Sequence, residues 1–246
     1  MKKTASVLLL LMANVAFSQT ADEIIKTADA KFRGKSSYAE MTISIVRPKW
    51  SKEMKMKAWS EGSDYSVSVI TSPAKEKGIV FLMRKKEVWN YLPKIDRTVK
   101  FPPSMMLQNW MGTDLTNDDL VKQSSIVTDY DKKIIGEEEK NGYRCWKIEL
   151  IPKPNAAVVW AKILIWVDQK EYMQMQTDFY DEDQFLVNQM IGSDVKTFDG
   201  KVLPSKLTVN PVDKTGQYTV ITYDQWKFDL EVPEEYFTTN YMKRMR

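Results

Sequence analysis

The stretch Tyr65-Ser66-Val67-Ser68-Val69 decides the fold class. Apolar and hydroxylated side chains alternate in it with a period of two, which marks a strand with one buried face. The same rhythm runs outward in both directions. Upstream, Met41, Ile43 and Ile45 alternate with Thr42 and Ser44, and Met54 and Met56 alternate with Lys55 and Lys57. Downstream come Ile79, Phe81 and Met83, then short runs at 87–92 and 95–101. In the second half, Trp146, Ile148 and Leu150 alternate with Lys147 and Glu149, and Met173, Met175 and Phe179 with Gln174, Gln176 and Asp178. Leu203, Leu207 and Val209 share a face of 201–210, and Tyr218, Val220, Trp226 and Phe228 a face of 217–228. Asn141-Gly142 and Asp199-Gly200 are tight-turn dipeptides between such runs. Segment 158–167 is apolar on both faces, which predicts cover from two sides in mid-sheet. The reading gives about 11–13 strands in a mainly β chain with a few helices, of α+β class.

Two segments break the rhythm. In residues 21–33, Ile24, Ile25, Ala28 and Phe32 fall on one helical face, Asp22 and Glu23 occupy the first turn, and Gly34 supplies a stop. Between the strand-rich halves lies Phe101-Pro-Pro-Ser-Met-Met-Leu-Gln-Asn-Trp-Met-Gly112. Pro103 suits a first helical turn, and Met106 with Trp110 and Leu107 with Met111 make i,i+4 apolar pairs, so a helix over 103–111 is predicted. Thr116 and Asp119 then form a capping-box pattern for a short helix through Val121. A sheet of this length curls, and helices pressed on its concave side make a partly closed antiparallel barrel with an apolar interior.

The amino end carries Lys2 and Lys3, an apolar run from Ala5 to Phe17, and small residues at Ala16 and Ser18. That is the pattern of a secretory signal peptide over residues 1–18, cleaved between Ser18 and Gln19. Removing 18 of 246 residues leaves 228, a single domain over 19–246, soluble and expected to be monomeric. Two of the 36 basic residues leave with the signal, so 34 basic residues stand against 33 acidic ones. That balance argues against a nucleic-acid partner and against strong attraction to anionic membranes. Cys145 is the single cysteine, so no internal disulfide forms, and it reads as a small buried side chain.

Histidine is absent, which removes Ser-His-Asp and Cys-His catalysis and imidazole metal sites. Asp178, Asp181, Glu182 and Asp183 lack the spacing of a calcium loop and read as a solvated turn. Asn117-Asp118-Asp119 reads as a helix start, and Glu137-Glu138-Glu139-Lys140 as edge-strand charge. No phosphate loop or nucleophile elbow occurs, so no catalytic residue, metal or cofactor is expected. What stands out is soft and apolar: 14 methionines and 8 tryptophans. Methionine adapts its shape to variable apolar guests. The candidate lining of an interior space is Met54, Met56, Val67, Val69, Phe81, Met83, Met106, Leu107, Trp110 and Met111.

Asn90-Tyr-Leu-Pro-Lys-Ile-Asp-Arg-Thr98, Pro102-Pro-Ser-Met-Met106, Trp110-Met-Gly112 and Thr116-Asn-Asp-Asp-Leu120 together resemble the LolA-like outer-membrane lipoprotein-sorting proteins. Glu40-Met-Thr-Ile43, Lys77-Gly-Ile-Val-Phe-Leu-Met83 and Phe179-Tyr-Asp-Glu-Asp183 fit the same group, so the resemblance spans nearly the whole mature chain. It is nearest to an uncharacterised branch of the LolA/LolB superfamily. The resemblance implies an open β-barrel lidded by helices, whose cavity carries acyl chains of lipids or lipoproteins through the periplasm towards the outer membrane. It also implies an inner-membrane transporter as donor and an outer-membrane acceptor. The family's lid-holding arginine is matched to no position here. Two other readings stand beside the carrier: a lipid- or lipoprotein-sensing regulatory module, and a lipid hydrolase.

Overall fold

The computed structural model describes residues 19–122 and 125–245; the expected signal peptide lies outside them. Helix α1 (Ala21–Arg33) begins in a complete capping box. The Glu23 N–H donates to Thr20 Oγ1 at 3.3 Å, and the Thr20 N–H donates to Glu23 Oε2 at 2.9 Å. Ile24, Ile25 and Ala28 form a fully buried stripe, so packing holds a helix too short to persist alone. Gly34 ends it at φ 68°, where a Cβ would sit 3.0 Å from the Ser36 carbonyl oxygen.

The first half supplies strands β1 (Ser36–Arg47), β2 (Trp50–Glu61), β3 (Tyr65–Ser72), β4 (Val80–Arg84), β5 (Glu87–Leu92) and β6 (Arg97–Lys100). Helices α2 (Pro103–Met106), α3 (Asn117–Lys122) and α4 (Ser125–Thr128) follow. The second half adds β7 (Tyr130–Lys140), β8 (Tyr143–Pro152), β9 (Lys162–Asp168), β10 (Gln174–Tyr180), β11 (Leu186–Phe198), β12 (Lys201–Pro211) and β13 (Tyr218–Phe228). A short 3-10 turn at Glu234–Phe237 and helix α5 (Thr239–Met242) complete the described chain. All thirteen strands join one unclosed antiparallel sheet in the order β6-β5-β4-β3-β2-β1-β13-β12-β11-β10-β9-β8-β7. The expected open half-barrel is therefore present, with β7 and its Glu137–Lys140 charges on an edge.

Both faces of the sheet are covered. On the face that carries α1, Ile24, Ile25 and Ala28 pack on Ile148, Leu150, Ile163 and Ile165. Further along that face, Phe32 meets Tyr223 and Trp226, and Trp110 covers Ile43, Met54, Met56 and Phe81. On the opposite face, Phe237, Met242 and Met245 cover Val67, Val69, Val80 and Leu82. Each fully buried Leu, Ile or Val is worth about 1.5–3 kcal/mol over exposure, so this C-terminal cover contributes materially.

Several expectations need correction, and β-bulges explain two of them. A register shift between the pairings of Glu40 with Gln225 and Met41 with Tyr223 puts Trp226 and Phe228 on the face of Tyr223 and Ile221. Tyr218 and Val220 therefore project from the other face instead of sharing one with them. A shift between Gln174 and Gln176 likewise sends Met175 to Cys145 and Trp166, while Phe179 stays on the α1 face against Trp160. Strand β9 is covered on both faces as expected, but it lies third from the sheet edge, not centrally. Asp178 is buried and accepts from Gln176 at 2.7 Å and Gln189 at 3.1 Å, so it does not belong to the solvated turn at 181–183.

The helix predicted over 103–111 does not form as one element. It stops after Met106, Asn109 is extended, and Trp110–Gly112 is a 3-10 turn with Met111 at φ 52°. Side-chain amides replace the helical donors. Asn117 Nδ2 donates to the carbonyls of Met105 (2.9 Å) and Gln108 (3.2 Å), and Asn109 Nδ2 to that of Thr113 (2.6 Å). The i,i+4 pairs of Met106 with Trp110 and Leu107 with Met111 are thereby lost: Trp110 is 5% exposed and Leu107 is 66% exposed.

Candidate functional site

Between α1 and the sheet lies a hollow with about 130 Å³ of free interior, widening to about 1230 Å³ when the part open to solvent is counted. One wall is the end of α1, with Asp29, Phe32 and Arg33. The facing wall is Leu115, Asp118, Asp119 and Ile126, with Val158, Val159 and Trp160 from the loop between β8 and β9. Its floor is the α1 face of β9 to β12, including Ile163, Ile165, Thr177, Phe179, Met190, Leu207 and Val209. The lining is mainly apolar, so water in it is poorly held and an apolar guest would displace it favourably.

Phe32 and Arg33 also border a second hollow of about 140 Å³ over β1 to β4. That one is lined by Ser37, Ser60, Ser63 and Ser66, together with Trp59, Met83 and Trp226. Phe32 stands edge-on to Trp226, with ring centroids 4.8 Å apart, and so forms a partition between the two spaces. Arg33 Nε donates to Asp29 Oδ1 at 2.8 Å, which offsets the charge at this end of the helix.

Burial pushes the Asp119 carboxyl above the usual carboxylate range, although the Thr116 N–H and O–H both donate to it at 2.8 Å. Burial also pushes the Tyr130 phenol up. Among the described residues, no group of three or more His, Cys, Asp or Glu could hold a metal ion.

The segment that fills the space beside the hollow is tied down by Arg47. Its guanidinium grips Asp114 through both terminal nitrogens at 3.0 Å, and donates to the carbonyls of Gly112 (2.8 Å) and Tyr218 (3.2 Å). Thr219 Oγ1 adds a 2.7 Å bond to the same carboxylate. The result is a buried, bidentate ion pair at the end of β1.

Of the sequence candidates, Met54, Met56, Phe81, Trp110 and Met111 come together in one cluster on the α1 face. That cluster is packed: Met54 is fully buried, and the Phe81 and Trp110 rings lie 5.3 Å apart. None of the five borders the larger hollow, and Met83 borders the smaller one. Val67 and Val69 are on the opposite face beneath the C-terminal segment, because their cross-strand partners are Trp59 and Lys57 rather than Met54 and Met56. Met106 is half-buried and Leu107 is exposed. Sequence reasoning missed Trp160, Phe179 and Met190 as lining, and Arg47 as the residue holding the 110–114 segment. The two-faced apolarity of 158–167 was a signal for Trp160; nothing local singles out Arg47.

A family model described as "Uncharacterized protein" matches residues 62–244. The chain belongs to that family. Among curated proteins, none matches the chain. Its fold is that of a DUF1329 family protein from Desulfovibrio piger, with TM-score 0.82 and 24% identity over 90% of this chain and 97% of that one. A protein from Vibrio parahaemolyticus described as an outer membrane lipoprotein-sorting domain superposes with TM-score 0.76 at 21% identity, covering 91% and 98%. A LolA superfamily protein from Nitrosomonas europaea gives TM-score 0.76 at 22% identity, covering 91% and 100%. The architecture is LolA-like.

Proposed function

We propose that the chain is a periplasmic carrier that shelters acyl chains of a lipid or lipoprotein in the hollow beside α1, on the way to the outer membrane. The observation that carries this reading is a mostly apolar hollow, open to solvent, between a helix and a curved sheet. Burying a methylene is worth about 0.8 kcal/mol, so a sixteen-carbon chain represents roughly 13 kcal/mol of avoided exposure. Such a molecule does not cross water unaided at a useful rate. A soft lining containing Met190, Phe179 and Trp160 adapts to a guest without a catalytic group. Support also comes from the fold shared with a lipoprotein-sorting domain. Export by residues 1–18, an inner-membrane donor and an outer-membrane acceptor belong to the same proposal.

Native mass spectrometry of the protein isolated from its own envelope tests it, with uptake of a fluorescent fatty acid by the delipidated protein as the second readout. A lipid-mass adduct and saturable uptake are expected, and Met190→Trp, which fills the floor, should lower uptake at least about tenfold. Protein of bare mass that takes up no fatty acid would sink the proposal. Release of free fatty acid from a labelled phospholipid would identify a hydrolase instead.

A further inference from the structure

In a sheet of this order, alternate connections emerge at the same end. The pairings of Val46 with Tyr218, Asn188 with Pro211, Tyr180 with Lys162, Val69 with Val80 and Val80 with Tyr91 place six connections at one end: β1–β2, β3–β4, β5–β6, β8–β9, β10–β11 and β12–β13. Five of the six, all but β3–β4, present a large apolar side chain to solvent: Trp50, Ile95, Val159, Phe185 and Val212. Phe185 is 69% exposed and Trp50 is 52% exposed. At the opposite end, the hairpin connections at 62–64, 85–86, 141–142, 169–173 and 199–200 present none among the described residues, and Leu230 lies exposed just beyond β13.

Single exposed apolar residues are ordinary on protein surfaces. Their gathering on the hairpin connections of one rim is not: five of the nine large apolar residues exposed among the described residues sit there, and the other four, Leu107, Ile135, Ile151 and Leu230, lie outside the hairpin connections. An exposed lysine accompanies four of the five: Lys49, Lys94, Lys153 and Lys214. The fifth connection is acidic, with Glu182 and Asp183 beside Phe185. The same rim is the lip of the larger hollow, which Val158, Val159 and Trp160 border.

We propose that this rim docks on a lipid bilayer carrying anionic headgroups. Indole and phenyl rings settle at the boundary between headgroups and acyl chains, while lysine stems lie along apolar surface with their ammonium groups among the phosphates. The near-zero net charge of the mature chain leaves attraction to the local pairing of lysine with an apolar anchor, so docking is reversible. A mouth on the docked rim faces the membrane, and a guest passes between bilayer and hollow without crossing bulk water. The rim stands on exposure and topology, and holds whether or not the hollow carries acyl chains.

Flotation of the purified chain with vesicles of phosphatidylethanolamine and phosphatidylglycerol tests the proposal, with phosphatidylcholine vesicles for comparison. The wild type is expected to float with the anionic vesicles, less so as salt is raised. The triple variant Trp50→Ser, Phe185→Ser, Val212→Ser should lose at least about tenfold in partitioning. Leu230→Ser, at the other end, should leave it unchanged. The three positions are exposed, and circular dichroism checks that the variants stay folded. Equal flotation of wild type and triple variant, or none by the wild type, overturns the proposal. So does a concentration-dependent dimer in sedimentation velocity that the triple variant abolishes, since the rim would then join two copies. Fatty-acid uptake by the triple variant, measured separately, keeps this result distinct from the carrier reading.

Discussion

Replacing Arg47 by Met leaves the Asp114 carboxylate, whose side chain is only 4% exposed, with the Thr219 hydroxyl as its remaining side-chain donor. Breaking a buried ion pair from one side costs about 3–5 kcal/mol, because the surviving charge stays desolvated. For a domain of this size that corresponds to a fall in Tm of roughly 6–20 °C. Removing both charges in Arg47→Met/Asp114→Leu should recover more than half of the loss, since a buried pair is often replaced by apolar groups of similar volume at little net cost. Recovery is incomplete because the Tyr218 carbonyl, which accepts from Arg47, also loses its donor. Urea unfolding of the two single variants and the double variant closes the cycle. Amide exchange adds a local readout: the Asp114 N–H, bonded to Thr219 Oγ1 at 3.0 Å, should exchange faster in Arg47→Met. A single variant less than about 1 kcal/mol below wild type, or a double variant no more stable than the single, would refute this account of the segment.

Leu82, fully buried under the C-terminal segment, separates the two faces: Leu82→Ala should cost about 2–5 kcal/mol by urea unfolding and leave fatty-acid affinity of the folded protein unchanged. A large change in affinity at unchanged stability would contradict the face assignment. Because burial raises the Asp119 pKa in the folded state, its ionisation opposes folding. The stability difference between wild type and Asp119→Asn should therefore favour wild type most below the ordinary aspartate pKa and shrink as pH rises through the raised value; a difference that does not change as pH rises above the ordinary aspartate pKa would count against it. The Cys145 thiol is buried and pushed up to about 11, first by desolvation and then by the Asp168 charge. A thiol reagent near neutral pH should label it only after unfolding, and labelling of the native protein at the rate of a free thiol would show an opening that the structure lacks.

What could be read from sequence was whatever lies within one element. Helix α1 was legible to its end residues because Asp22 and Glu23 in the first turn and Gly34 at the stop are local signals; the Thr20 cap that completes the box appeared only in the structure. Strand existence was legible from alternation. Faces were not, since one inserted residue near Gln225 or Gln174 reverses every later side chain. In β3, alternation shows that Val67 and Val69 are buried but not on which side their cover lies; Phe237 and Met242 come from the far end of the chain. The half-buried hydroxyl residue Ser66 was left to border the smaller hollow, opposite to what polarity alone suggests. Trp110 was placed on a helix because apolar spacing is visible and the amide bonds of Asn109 and Asn117 are not.

Strand order also fixes when the molecule can close on itself. β1 to β6 and β7 to β12 are each runs of neighbouring hairpins, and β13 alone bridges them by pairing with β1 and with β12. Until β13 arrives, the nascent polypeptide holds two unfinished sheets with raw borders at β1 and β12, each able to recruit a stranger. Joining partners as remote as Glu40 and Gln225 is slow compared with forming hairpins. If residues 1–18 direct export as proposed, that lag would keep the precursor threadable until its keystone strand has been made.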